Sequence, residues 1–155
     1  MAINKKGQAA LEYLSTYGWL LIIIVIVAAA LYALGIFNPA TYQGKTCTGF
    51  TTGLTYAEHK FSPGGAFSVV LMNGVGKTVS NVTNVNITLA SGTSVSATPS
   101  PAVSNWAPGG KQTLTITGPD PGTTGSSYTA TVTVTYNTAD VTGHKQSGTC
   151  TGTVE

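Results

Sequence analysis

Residues 19–34 read Trp-Leu-Leu-Ile-Ile-Ile-Val-Ile-Val-Ala-Ala-Ala-Leu-Tyr-Ala-Leu, and the Trp19 indole N–H and the Tyr32 hydroxyl are their only polar side-chain groups. Extended back to Tyr13 and on to Phe37, the apolar stretch exceeds the roughly 20 residues that a membrane-crossing helix needs. Gly35 and the pair Asn38-Pro39 supply stop signals for such a helix. Lys5 and Lys6 lie on its N-terminal side, so the positive-inside rule puts the N-terminus in the cytoplasm and the rest of the chain outside. An ordinary secretory signal has an apolar core of only about 7–15 residues followed by a small-residue cleavage site. This run is longer and has no clear Ala-x-Ala site after it. A plain signal-anchor is the nearer alternative, and periodicity does not separate the two.

The remainder has a different texture. After residue 40, Thr, Ser, Gly, Asn, Val and Ala dominate. Thr and Val favour pleated strands, while Gly, Asn and Pro supply turns. Tyr128–Tyr136 alternates strictly, with Tyr128, Ala130, Val132, Val134 and Tyr136 on one face and Thr on the other. Thr113–Thr117 and Val85–Leu89 alternate too. Ala66–Met72 is a more continuous apolar run and suits a central strand. Turn signals fall at Pro63-Gly64-Gly65, Asn73-Gly74, Ser91-Gly92, Pro108-Gly109-Gly110 and Gly118–Gly122. Short strands at this spacing predict an antiparallel sandwich or barrel, with the immunoglobulin-like sandwich preferred.

Charged residues make up 8% of the chain, against about 25% in an average soluble protein. There is no arginine, and two of the seven basic residues are Lys5 and Lys6. No basic patch is present to neutralise phosphates, so no nucleic-acid binding is predicted. Cys47 and Cys150 lie near the two ends of the β region. An even count in an exported chain points to one disulfide; the alternative is two unrelated buried thiols. The flanking sequences match, Lys45-Thr46-Cys47-Thr48-Gly49 against Gly148-Thr149-Cys150-Thr151-Gly152. Two short strands of like pattern would pair and bring the sulfurs together.

The sharpest motif is Lys5-Lys6-Gly7-Gln8-Ala9-Ala10-Leu11-Glu12-Tyr13. A basic pair, a glycine, then an apolar helix with one acid near its start resembles the class III signal peptide of archaeal type IV pilins. The resemblance covers roughly residues 1–38. It implies cleavage by a prepilin peptidase between Gly7 and Gln8, which places Glu12 at the fifth position of the mature chain. It also implies an assembly ATPase and a membrane platform protein as partners during biogenesis, with the chain held in the membrane until it joins identical subunits in a helical homopolymer. If the chain is cut there, five lysines face five acids.

Glu12 has a physical reading of its own. A carboxylate at the head of an apolar helix costs a few kcal/mol unless it is paired or reaches the interface. It either sits at headgroup level, or favours the helix N-terminus through the macrodipole, or meets the free amine that cleavage creates on a neighbour's Gln8. An apolar helix also has two successive uses: surrounded by lipid, and then packed on other helices, where Gly18 and Ala28–Ala30 permit close approach. Heterologous contacts that do not close generate open polymers.

Asn81-Val82-Thr83 and Asn86-Ile87-Thr88 fit the N-glycosylation acceptor pattern. Asn86 and Thr88 fall on the polar face of the predicted strand Val85–Leu89, and Asn81 falls in a predicted turn before it. The two histidines, His59 and His144, read as surface or turn residues. No His/Cys/Asp set has metal spacing, no serine lies in a nucleophile elbow, and Gly74-Val-Gly-Lys77 lacks phosphate-loop spacing. No catalytic residue, metal or cofactor is predicted.

The predicted architecture is α+β. Residues 1–7 are a leader peptide, 8–38 a hydrophobic filament-core or transmembrane helix, and 39–155 an extracellular, all-β antiparallel sandwich of immunoglobulin-like form. The expected function is that of a non-enzymatic pilus subunit at the cell surface, serving adhesion. The rivals are an archaellin-type motility subunit and a membrane-anchored surface binding module.

Overall fold

The computed structural model describes residues 5–37 and 44–155, with side chains from residue 11 onward. The chain divides into two compact units, Met1–Thr41 and Tyr42–Glu155, which are described separately.

The first unit is helix α1, Lys5–Ala33. At 1.5 Å per residue its 29 residues span about 43 Å. It ends in a Schellman motif. Gly35 takes a left-handed conformation with φ of 70°, Ile36 N–H donates to the Leu31 carbonyl at 3.2 Å, and Gly35 N–H donates to the Tyr32 carbonyl at 3.0 Å. Glycine meets that conformation without a Cβ penalty. Asn38 and Pro39 lie outside the described residues.

Among its described residues the second unit holds nine strands: β1 (Thr46–Thr48), β2 (Leu54–Phe61), β3 (Ala66–Asn73), β4 (Val79–Leu89), β5 (Ser94–Ala97), β6 (Ser104–Trp106), β7 (Lys111–Thr117), β8 (Ser127–Thr138) and β9 (His144–Thr153). One sheet has the order β1-β9-β8-β4-β5, with β6 also paired to β4; the other has the order β2-β3-β7. Every pairing is antiparallel. The fold is thus an apolar helix followed by antiparallel sheets.

Period-2 alternation explains the core. Tyr128, Ala130, Val132, Val134 and Tyr136 of β8 are all buried, as are Leu114 and Ile116 of β7. β3 is the central strand of its sheet, and its inward residues Phe67, Val69 and Leu71 are fully buried. Both sheets contribute to a single apolar core. The opposite face of the larger sheet is rich in hydroxyls. Thr48, Thr149, Thr131, Thr88 and Ser94 align across five strands, and Ser147, Thr133, Asn86 and Ser96 form the next row.

The two cysteine segments pair as their matching sequences predict. Cys47 of β1 stands directly opposite Cys150 of β9, and the two form a disulfide. Glycine at 148 and 152 leaves room on the inward face of β9. A Cβ at Gly148 would stand 2.5 Å from the ring of Phe50, and one at Gly152 would stand 3.1 Å from the Tyr128 hydroxyl.

Two buried amides bind the loops to the sheets. Asn73 donates through Nδ2 to the carbonyls of Lys77 and Trp106, at 2.9 and 2.8 Å, and accepts from the Val75 N–H at 3.0 Å. Its main chain bonds to Gly109 and Gly110. Gln146 of β9 accepts from the Leu54 N–H at 2.7 Å and donates to the Leu54 carbonyl at 3.0 Å, which joins the two sheets. Asn81, predicted in a turn, instead lies within β4, opposite Ser104 and Asn137. Register shifts at Val79/Asn81 and Val82/Asn84 carry the strand past the polar pair Ser80-Asn81, so the turn-like composition extends the strand rather than ending it.

Replacing Asn73 by alanine strands the carbonyls of Lys77 and Trp106 at once, and a buried unsatisfied polar group costs about 1–3 kcal/mol. The Asn73→Ala chain is therefore expected to lose about 3 kcal/mol in urea unfolding followed by tryptophan fluorescence. A loss below about 1 kcal/mol would contradict the role given to this amide.

Candidate functional site

Two places concentrate chemistry: the surface of α1, and a cluster where β2 meets the disulfide. Leu11–Ala33 is long and apolar enough to cross a membrane, with a mean hydropathy of 2.4 and none of it buried within the chain. Its apolar residues face outward on every side, from Leu11, which is 68% exposed, to Val27. The rings of Tyr13 and Tyr17, one turn apart, are tilted against each other with centroids 4.6 Å apart.

Lys5, Lys6, Gly7 and Gln8 form the first turns of α1, so the bond between Gly7 and Gln8 is inside the helix. Their side chains lie outside the described residues. Glu12 is exposed, and its carbonyl accepts hydrogen bonds from Ser15 Oγ at 3.0 Å and Thr16 Oγ1 at 2.8 Å. Because α1 starts at Lys5, no acid occupies its first turn. Stabilisation by the helix dipole fades within that turn, so in the uncut chain the dipole does not account for Glu12. The headgroup and pairing readings remain.

The second cluster corrects the reading of His59 as a surface or turn residue. His59 is buried, at 1% exposure. A register shift between Tyr56 and Glu58 marks a bulge in β2, and an added residue inverts the alternation of the strand. Leu54 and Tyr56 point inward before it, and His59 and Phe61 point inward after it. Without the bulge, Tyr56 and His59 would face opposite ways. With it, the Tyr56 hydroxyl lies 2.7 Å from His59 Nδ1, and Cys47 Sγ lies 3.5 Å from the same nitrogen. The rings of Phe67 and Tyr128 pack at 6.0 Å from the imidazole.

Burial lowers the His59 pKa below its ordinary value of 6.5, and the charge of Lys45 adds to this; the Thr151 main chain, Glu155 and Glu58 pull the other way. Burial raises the Tyr128 hydroxyl. His59 Nε2 and the Tyr128 hydroxyl are both buried without a hydrogen-bond partner among the described residues. Lys45 and Glu155 pair at 2.7 Å nearby, and Lys45 holds the Glu155 carboxyl below its ordinary range.

Cys47, His59 and Cys150 bring their ligand atoms within 4.8 Å of one another. Both sulfurs are spent in the disulfide, and a metal needs the thiolate. The set in this form is therefore a packed redox pair beside an imidazole. His144 is only part-buried, and its ring stacks on Tyr136 at 5.3 Å. Of the two acceptor asparagines, Asn81 is exposed. Asn86 is half-buried on the outer face, where Thr88 Oγ1 donates to its Oδ1 at 3.1 Å.

Sequence reasoning passed over His59. The signal was present in Leu54-Thr-Tyr-Ala-Glu-His-Lys-Phe61, where the apolar positions change from even to odd numbers. Such a parity change is what a bulge leaves in a sequence. No family model matches this chain, and no curated protein is significantly similar to it.

The depressed His59 pKa sets a sign for stability against pH. Below pH 6.5 the unfolded chain binds a proton that folded His59 refuses, so the stabilising difference is complete above that pH and is lost as the pH falls through the lower folded value. A His59→Gln chain is expected to show a flatter dependence between about pH 7 and pH 5. Thermal melts of the two chains across that window test this, and parallel curves would refute it.

Proposed function

We propose that this chain is a structural subunit of an extracellular filament of the archaeal type IV pilus kind. The observation that carries the reading is α1: a long helix with exposed apolar residues on all sides, with Lys5-Lys6-Gly7 in its first turn and Glu12 shortly after. In this reading a prepilin peptidase cuts after Gly7. The mature chain waits in the membrane, and an assembly ATPase and platform protein drive its helix into a bundle of identical helices. Glu12 then pairs with the new amine of a neighbouring Gln8. The filament stands on the cell surface and serves adhesion, without enzymatic activity.

The β unit is proposed to be an immunoglobulin-like sandwich. In support, the order β9-β8-β4-β5 matches the G-F-C-C′ order of such folds, and β2-β3-β7 matches A-B-E. The disulfide departs from that pattern, since it joins neighbouring strands of one sheet where antibody domains join B to F across the two sheets. Asn81 and Asn86 are the proposed glycan acceptors. The same helix also suits a membrane-anchored surface module, because Leu11–Ala33 matches one bilayer span.

N-terminal mass spectrometry of the protein recovered from sheared cell surfaces tests the pathway. A mature start at Gln8 in filaments made chiefly of this chain is the expected result. A start at Met1 or Ala2, with the chain confined to the membrane fraction, would favour the anchored module. Glu12→Gln is expected to lower the filament yield about tenfold while the cleaved chain accumulates in the membrane; an unchanged yield would remove the pairing role.

A further inference from the structure

We propose that His59 is a built-in base that makes Cys47 the attacking thiol when the Cys47–Cys150 bond forms or is exchanged. Three observations carry this. His59 Nδ1 lies 3.5 Å from Cys47 Sγ in the bonded form, the reach of a thiol–imidazole hydrogen bond. The Tyr56 hydroxyl, 2.7 Å from the same nitrogen, holds the ring in place through the β2 bulge. Cys47 is part-buried while Cys150 is fully buried, so the residue beside the imidazole is the more accessible of the two.

The surroundings favour a neutral base. Around the imidazole are Tyr56 of β2, Tyr128 of β8, Lys45 ahead of β1, and Glu155, while Glu58 acts weakly from the exposed face of β2. Lys45 and Glu155 pair with each other, which leaves little net charge to hold a proton on the ring. A neutral imidazole has a lone pair to offer, and the thiolate is the reactive form of cysteine.

The oxidant is a low-molecular-weight disulfide. In the reduced protein, His59 Nδ1 takes the Cys47 Sγ proton, which leaves a thiolate beside an imidazolium that Tyr56 oxygen accepts from. The thiolate attacks one sulfur of the small disulfide; a new S–S bond forms, the old one breaks, and a small thiolate leaves and gains a proton from water. Cys150 then attacks Cys47 Sγ in the mixed disulfide and expels the second small thiolate, which receives the proton held by His59. The Cys150 thiol proton passes to water. One protein dithiol is oxidised and one small disulfide is reduced to two thiols.

The test uses the full chain in detergent, reduced and then treated with iodoacetamide across a range of pH, with each cysteine followed by peptide mass spectrometry. Cys47 is expected to react ahead of Cys150, with a rate midpoint below the ordinary thiol value of about 8.5. His59→Gln is expected to move the midpoint up to that value and to slow Cys47 about tenfold at neutral pH. Tyr56→Phe, which keeps the imidazole but removes the hydroxyl that fixes it, is expected to raise the Cys47 midpoint part of the way while Cys47 still reacts first; loss of that order in Tyr56→Phe overturns the proposal. Reoxidation by oxidised glutathione is expected to slow in His59→Gln in the same proportion. A Cys47 midpoint near 8.5 in the unsubstituted chain overturns the proposal, as do equal rates for the two cysteines or a His59→Gln profile that superimposes on the parent. If His59→Gln does not fold, the parent profile and Tyr56→Phe decide. If reduction unfolds the chain, the two cysteines react alike and the proposal fails.

Discussion

An apolar helix without a cover governs everything else in this chain. Ten Leu, Ile and Val side chains between Leu11 and Val27 face outward. Covering each is worth about 1.5–3 kcal/mol, so together they represent tens of kcal/mol. The entire folding stability of an ordinary domain is about 5–15 kcal/mol. No adjustment within the β unit offsets an imbalance of that size. Lipid or other helices would supply such a cover, and both surroundings accept the same all-round apolar surface.

The β unit meets a different constraint with the same economy of residue types. Its core comes from strict alternation, and its outer face carries threonine and serine where most proteins place charge. Hydroxyls keep such a face wet without attracting or repelling ions. Its hydration is therefore nearly indifferent to ionic strength, because there is little charge to screen.

Much of this was legible in the sequence because each local signal agreed with its neighbours. The alternation of β8 named its buried face residue by residue. The twin segments around Cys47 and Cys150 predicted their own pairing. Gly35 marked the helix end, because only a left-handed residue closes that motif cheaply. The unread parts are those where one residue changes the meaning of those after it. The bulge near Tyr56 turned His59 inward, and the irregularities in β4 kept Asn81 in a strand. Asn73 and Gln146 went unnoticed for another reason: a buried amide is recognised by the main-chain groups around it, and those come from distant parts of the chain.

The place of the disulfide has a mechanical consequence. β1 is the first strand after the helical unit, and it holds β9 through only three residue pairs, which on their own would peel apart one after another. A pull arriving along the chain from the helix reaches Cys47 almost at once, and there the load divides covalently into β9, near the other end of the chain. The residues between the two cysteines, 103 positions apart, are bypassed by any load that passes from Cys47 to β9. The tie shields the core from tension in the chain, and hydrogen bonds alone would transmit that tension strand by strand.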